Sequence, residues 1–278
     1  MSEMPMHELS ELKPPHVILA ITEGFRASFE ASLLPWARRT LRRVAKGDGH
    51  PVLVIPGFTA SDLSTTAIRR YVDRWGYVSQ PWNLGRNFGP FEHTEAQLHD
   101  RVRKICEEHG RKLSLVGWSL GGIYAREVAK VLPDHVRQVV TLGSPFRGAG
   151  FGTNVTWLYE RMSGDRVRYR GLEFYFRLMN PPDVPCTSVF SKSDGVVNWQ
   201  TCLEPPMDMT ENIEVNSSHC GMGFNPIVLY AIADRLGQAE GAWGPFDCSG
   251  WRSFFYKQYS SETAPGPRVA AKAASETR

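Results

Sequence analysis

The chain has 278 residues, 42% of them hydrophobic, 22% charged and 11% aromatic, with a formal net charge of +3. That composition fits a folded globular protein, and a chain of this size buries about three quarters of its extended surface around one core, which excludes disordered and collagen-like classes. A charge so near neutral, without a nucleic-acid-binding motif, argues against a nucleic-acid partner, and no run reaches the ~18 apolar residues of a membrane span.

The first residues, "MSEMPMHELSELKPP", are acidic and mixed and lack the positive start and apolar core of a secretory signal. A cytoplasmic protein is therefore expected. Residues 1–50 read as an N-terminal extension with one amphipathic helix. In "LLPWARRTLRRVAKG", Leu33, Leu34, Ala37, Leu41, Val44 and Ala45 share a stripe, with Arg38, Arg39, Arg42, Arg43 and Lys46 elsewhere. Such a helix packs against its own domain or makes a weak contact with a membrane surface, and the residues leave both open.

From Pro51 onward, short apolar runs alternate with longer segments of helical period. Pro51 to Phe58 reads as a strand, "GYVSQPW" as a weaker one, and Lys112 to Trp118, Val136 to Phe146, Val184 to Ser191 and Asn212 to Ser218 as further strands. Between them, "EAQLHDRVRKICEEHG" carries Leu98, Val102 and Ile105 at steps of four and three and stops at Gly110. "IYAREVAKVL" and "NPIVLYAIADRLG" behave alike. Continuous apolar strands alternating with helices predict an α/β fold, a mostly parallel sheet covered on both faces. The core is expected at 51–146 and 184–245. Residues 147–183, without a strand and rich in aromatics, are longer than a connection needs and are expected to form a lid. Residues 260–278, small and polar, read as a disordered tail.

The chemistry concentrates in "LSLVGWSLGGIYAREV". Gly117-Trp118-Ser119-Leu120-Gly121 fits G-x-S-x-G, with a strand before it and a helix after it. That turn projects the serine hydroxyl above the sheet and sets it at a helix N-terminus, where unpaired N–H groups favour developing negative charge. A serine becomes a nucleophile only when a neutral imidazole takes its proton and a carboxylate orients that imidazole.

On these motifs the chain resembles the α/β-hydrolase superfamily, and within it the bacterial lipases and esterases, from about Pro51 to Gly237. The resemblance implies a nucleophile, an acid and a histidine in that order, each on a loop at the C-terminal edge of a strand. The resemblance implies that Ser119 is the nucleophile, Asp194 the acid and His219 the base. Asp194 in "VFSKSDGVVNW" follows the next candidate strand, whereas Asp183 lies before it, at the wrong end of the sheet. His219 in "EVNSSHCGMGFNP" follows one strand later. His93, His99, His109 and His135 lie in or beside helical segments, and His7, His16 and His50 precede the first strand.

The oxyanion hole is expected from the backbone N–H groups of Leu120 and Phe58. The loop "VLVIPGFTASD" resembles the His-Gly-x loop of lipases, with Pro56 in place of histidine. Arg86 or Asn87 in "NLGRNFGP" is a candidate brace for that loop. Trp118, Phe146 and Trp157 are the candidate substrate-binding residues, lining an apolar acyl pocket. No cofactor and no metal are expected, because neither a nucleotide-binding glycine pattern nor metal-ligand spacing is present. Five cysteines scattered over the chain do not make a disulfide framework, although a bridge between Cys202 and Cys220 would tie two loops of the candidate site. The resemblance implies a carboxylic-ester hydrolase, lipase or esterase, acting on small-molecule or lipid esters of short to medium acyl chains. An acyltransferase using the same triad with an alcohol acceptor is the alternative.

Overall fold

A computed structural model describes residues 13–89, 91–147 and 172–259. The expected tail, and residues 148–171 of the expected lid together with Trp157, lie outside them.

Among the described residues, two helices, α1 (Val17–Ser32) and α2 (Leu34–Leu41), precede the first strand, β1 (Pro51–Ile55). Helix α3 (Thr66–Arg74), strand β2 (Val78–Pro81) and helix α4 (Glu95–His109) lead to β3 (Leu113–Trp118), α5 (Leu120–Val131) and β4 (Val136–Leu142). After α6 (Leu172–Met179) come β5 (Cys186–Phe190), β6 (Thr210–Glu214), α7 (Pro226–Leu236) and the two-residue strand β7 (Lys257–Gln258). The strands form one sheet in the order β2-β1-β3-β4-β5-β6-β7, parallel except for the last pair.

Period-two alternation divides each central strand between two apolar layers. Val52 and Val54 of β1 pack with α2, α3 and α7, while Leu53 and Ile55 pack with α4 and α5. Every residue of β1, β4 and β5 is buried, as a strand covered on both faces requires, whereas edge strand β2 is not. Helix α4 buries Leu98, Val102 and Ile105 and ends on Gly110 at φ +63.

The structure departs from the sequence reading at several points. β4 ends at Leu142 rather than Phe146, because Gly143 at φ +54 turns the chain out of the ladder. β6 begins at Thr210 and ends at Glu214, so Val215 to Ser218 belong to a loop. β7 was not anticipated. Nor was α1, which turns Glu23, Ala27 and Glu30 inward while Ile18, Ile21, Phe25 and Phe29 face outward. The stripe of α2 packs on the domain, with Leu41 buried and Leu34, Ala37 and Val44 against the same core. All five cysteines are free, so Cys202 and Cys220 are not bridged.

Candidate active site

Ser119 sits between β3 and α5 at φ +55 and ψ −122. A non-glycine residue in that region costs on the order of 1–3 kcal/mol, which the surroundings must over-determine. They do so through backbone contacts: the Ser119 N–H donates to Leu142 O at 2.8 Å, and Ser119 O accepts from Gly122 N at 3.0 Å. The flanking glycines are required by close approach. A Cβ at Gly117 would stand 2.4 Å from Gly121 O, and one at Gly121 would stand 2.3 Å from Ile55 O. Leu120 opens α5, so its N–H is among the first-turn donors that have no partner within the helix.

Asp194 lies on the loop after β5 and His219 on the loop after β6, and the two meet. Asp194 Oδ2 accepts from His219 Nδ1 at 2.6 Å, while Oδ1 accepts from the N–H groups of Val196 at 2.8 Å and Val197 at 2.7 Å. Both side chains are buried. Burial alone would lower the His219 pKa, but the Asp194 charge and hydrogen bond, with a further push from Glu23, outweigh it and hold the value above the ordinary one. The turn at Gly143 touches this pair, since a Cβ there would lie 3.2 Å from both Asp194 Oδ2 and His219 Nδ1. Trp118 Nε1 donates to His219 O at 3.2 Å, tying the residue before Ser119 to the histidine loop. Asp183 is exposed and precedes β5.

The loop after β1 adjoins the serine: a Cβ at Gly57 would stand 3.1 Å from Ser119 Cβ. Thr59 takes φ +60, and its N–H donates to Asn87 O at 2.7 Å. Buried Asn87 also donates from Nδ2 to Pro56 O at 2.9 Å and from its N–H to Ala60 O at 2.9 Å. Asn87 thus braces the loop on both sides of Phe58, and the longer Arg86 contact to Thr59 O, at 3.4 Å, is secondary.

Trp118 is half-buried beside the histidine loop. Phe146 is fully buried in the apolar layer, with the Arg126 guanidinium 3.8 Å above its ring centre. A second Ser-His-Asp grouping stands at the opposite edge of the sheet: His50 bonds Asp48 through Nδ1 and Ser114 Oγ through Nε2, the latter at 2.8 Å. Ser114 is fully buried within β3, so no substrate reaches it. Ser119, by contrast, is only partly buried.

The sequence reading missed Glu23 and Glu30. Their carboxylates reach the acid and histidine loops from α1; two glutamates seven apart with Ala27 between them mark one helix face, the only trace of this in the sequence. Among the described residues, no group of three or more His, Cys, Asp and Glu could hold a metal ion, and no helix is long and apolar enough to cross a membrane.

A family model described as "Alpha/beta hydrolase family" matches residues 52–254. Triacylglycerol lipases from Pseudarthrobacter phenanthrenivorans and Burkholderia plantarii are each 30% identical to the chain over 116 residues, covering 37% of it. Those matches cover 35% and 31% of the two lipases, so the chain spans about a third of the length of the curated relatives it matches. Among solved structures, a Bacillus licheniformis lipase in its mature form superposes with a TM-score of 0.52 at 16% identity, covering 69% of this chain and 92% of that one. That likeness is one of fold.

Proposed function

Because the chain belongs to the α/β hydrolase family, we propose that it is a serine hydrolase that cleaves carboxylic esters of short to medium acyl chains through Ser119, Asp194 and His219. The observation that carries this reading is the backbone-locked turn at Ser119 on the same sheet edge as the buried Asp194–His219 pair. With the Nδ1 proton shared with Asp194, His219 Nε2 carries the lone pair. Ser119 Oγ attacks the ester carbonyl carbon and its proton passes to Nε2. The tetrahedral oxyanion meets the N–H groups of Leu120 and Phe58, each donor contributing about 3 to 4 kcal/mol. Collapse expels the alcohol, which takes the proton from Nε2. Water then repeats the sequence on the acyl-enzyme and restores Ser119.

The test is initial rates on p-nitrophenyl esters from acetate to palmitate, for the wild type and Ser119→Ala. The expected result is an optimum at short to medium chains and a loss on the order of 10⁶ in the variant. Equal rates in both proteins would refute the reading. Transfer product at low concentrations of added alcohol would reassign the enzyme as an acyltransferase.

A weak contact with an anionic lipid surface extends the same proposal. Trp36 is 86% exposed beside the exposed Arg38, Arg39, Arg42 and Arg43, and on the preceding helix Ile21 is 77% exposed and Phe25 78%. Apolar side chains bordered by arginines suit a membrane interface that carries negative charge. Flotation with phosphatidylglycerol vesicles should retain the protein, and Ile21→Ser with Phe25→Ser should release it. A wild type unbound to such vesicles ends this part of the proposal.

A further inference from the structure

Helix α1 lies outside the segment that the family model matches, residues 52–254. Its buried face is nonetheless built onto the two loops that carry Asp194 and His219. Glu23 Oε1 accepts from the N–H of Gly195 at 2.8 Å and from the N–H of His219 itself at 3.1 Å, and Oε2 accepts from the N–H of Cys220 at 2.9 Å. Two turns on, Glu30 Oε1 accepts from the N–H of Ser218 at 2.7 Å, and Oε2 accepts from Ser217 Oγ at 2.7 Å and Asn225 Nδ2 at 2.9 Å. Between them, Arg26 Nη2 pairs with Glu23 Oε1 at 2.7 Å, and its Nη1 donates to Ser193 O at 2.6 Å. The fit is close at the backbone as well, since a Cβ at Gly195 would stand 2.4 Å from Leu19 O.

Loops beyond a strand end have no ladder to receive their N–H groups, and a buried N–H without an acceptor is costly. Here the N–H groups flanking both members of the Asp194–His219 pair point at carboxylates. Such charge-assisted bonds are roughly twice as strong as neutral ones. The arrangement also explains the inverted helix: Glu23 and Glu30 are turned inward because the acceptors are needed there.

We propose that Glu23 and Glu30 are positioning residues, and that α1 is a clamp setting the separation and orientation of the Asp194 and His219 loops. The proposal rests on the serine-hydrolase reading. Glu23, one residue's backbone from the imidazole, adds its charge to the field at His219. The other charged groups facing that ring are Asp194 and, through Glu23, Arg26, with the Cys220 thiol beside them. Glu30 acts one residue upstream, through the Ser218 N–H and the Ser217 and Asn225 side chains.

The experiment compares Glu23→Gln, Glu23→Asp and Glu30→Gln with the wild type in kcat, KM, the pH profile of kcat/KM and thermal midpoint. A displacement near 1 Å costs on the order of 10² in rate, so kcat should fall 10- to 100-fold with KM little changed. In Glu23→Gln the acid limb should also move to lower pH, because a negative charge beside His219 has gone. In Glu23→Asp and Glu30→Gln, which leave the charge at Glu23 in place, it should stay. Full kcat in folded variants, or a Glu23→Gln limb that does not move, would overturn the proposal. The His219 Nδ1 proton resonance reads the pair without turnover. If wild type and Ser119→Ala hydrolyse alike, the hydrolase reading fails, and the resonance still decides the clamp: displaced in Glu23→Gln if it holds, unchanged if it does not.

Discussion

Asp194→Asn separates an orienting carboxylate from a merely structural one. Asp194 Oδ1 accepts two backbone N–H groups, from Val196 and Val197, while Oδ2 takes the His219 Nδ1 proton. An asparagine fits the same volume but has one acceptor oxygen. Two fixed N–H donors hold that oxygen on the Oδ1 side, so the NH₂ group faces His219. Two donors cannot share one bond, and His219 must move its proton to Nε2, leaving Nδ1 to accept. Nε2 then has no lone pair for the Ser119 proton. A wrong tautomer of this kind lowers kcat about 10⁴-fold, or about 5 kcal/mol of transition-state stabilisation. The thermal midpoint should change little, because every hydrogen-bonding position keeps a partner. The assay is kcat on the best p-nitrophenyl ester at the wild-type optimum, with the midpoint measured on the same preparation. A folded Asp194→Asn with kcat within about tenfold of wild type would refute the tautomer argument and remove Asp194 from the triad.

Two further outcomes follow from the same geometry. His219 must be neutral to act as base, and its pKa is raised by Asp194 and Glu23 against burial, so the acid limb of kcat/KM should lie above the ordinary histidine value of about 6.5. The sign for stability is opposite: a raised histidine pKa stabilises the fold fully below the unfolded value, and that contribution is lost as pH rises through the folded one. A limb below 6.5 in a pH-rate profile would contradict the first statement. Arg126 and Glu204 are both fully buried, and Arg126 Nη2 also donates to the carbonyls of Leu178, Met179 and Asn180 at the C-terminal end of α6. Arg126→Met strands the Glu204 carboxylate and should cost about 3–5 kcal/mol, or a fall of about 6–20 °C in the thermal midpoint. A midpoint unchanged by calorimetry would show that the pair is not a structural tie.

Much of this was legible in the chain. The apolar runs at β1, β3, β4 and β5 read as buried strands because each is covered on both faces. The glycines around Ser119 read as a tight strand-to-helix turn, because only a missing Cβ permits contacts of 2.3 and 2.4 Å with neighbouring backbone. The order of serine, aspartate and histidine, each placed after a strand, named Ser119, Asp194 and His219 as candidates before any fold was drawn. The same reading ran β4 on to Phe146 and β6 to Ser218, since an apolar or β-branched run does not mark where a ladder stops.

Residue types and their periodicity determined the sheet, its covering helices and the serine turn, since each depends on neighbours a few positions apart. Only the tertiary structure brought His50 to an aspartate and a serine, as it brought His219 to Asp194, and sealed that serine inside β3. Helix α1 was decided there too. Hydrophobic periodicity assumes that the apolar face turns inward, whereas α1 turns in its carboxylates to meet N–H groups as far as 197 residues away. A local pattern carries no record of a donor that distant, because it becomes a neighbour only once the sheet has brought the loops to one edge.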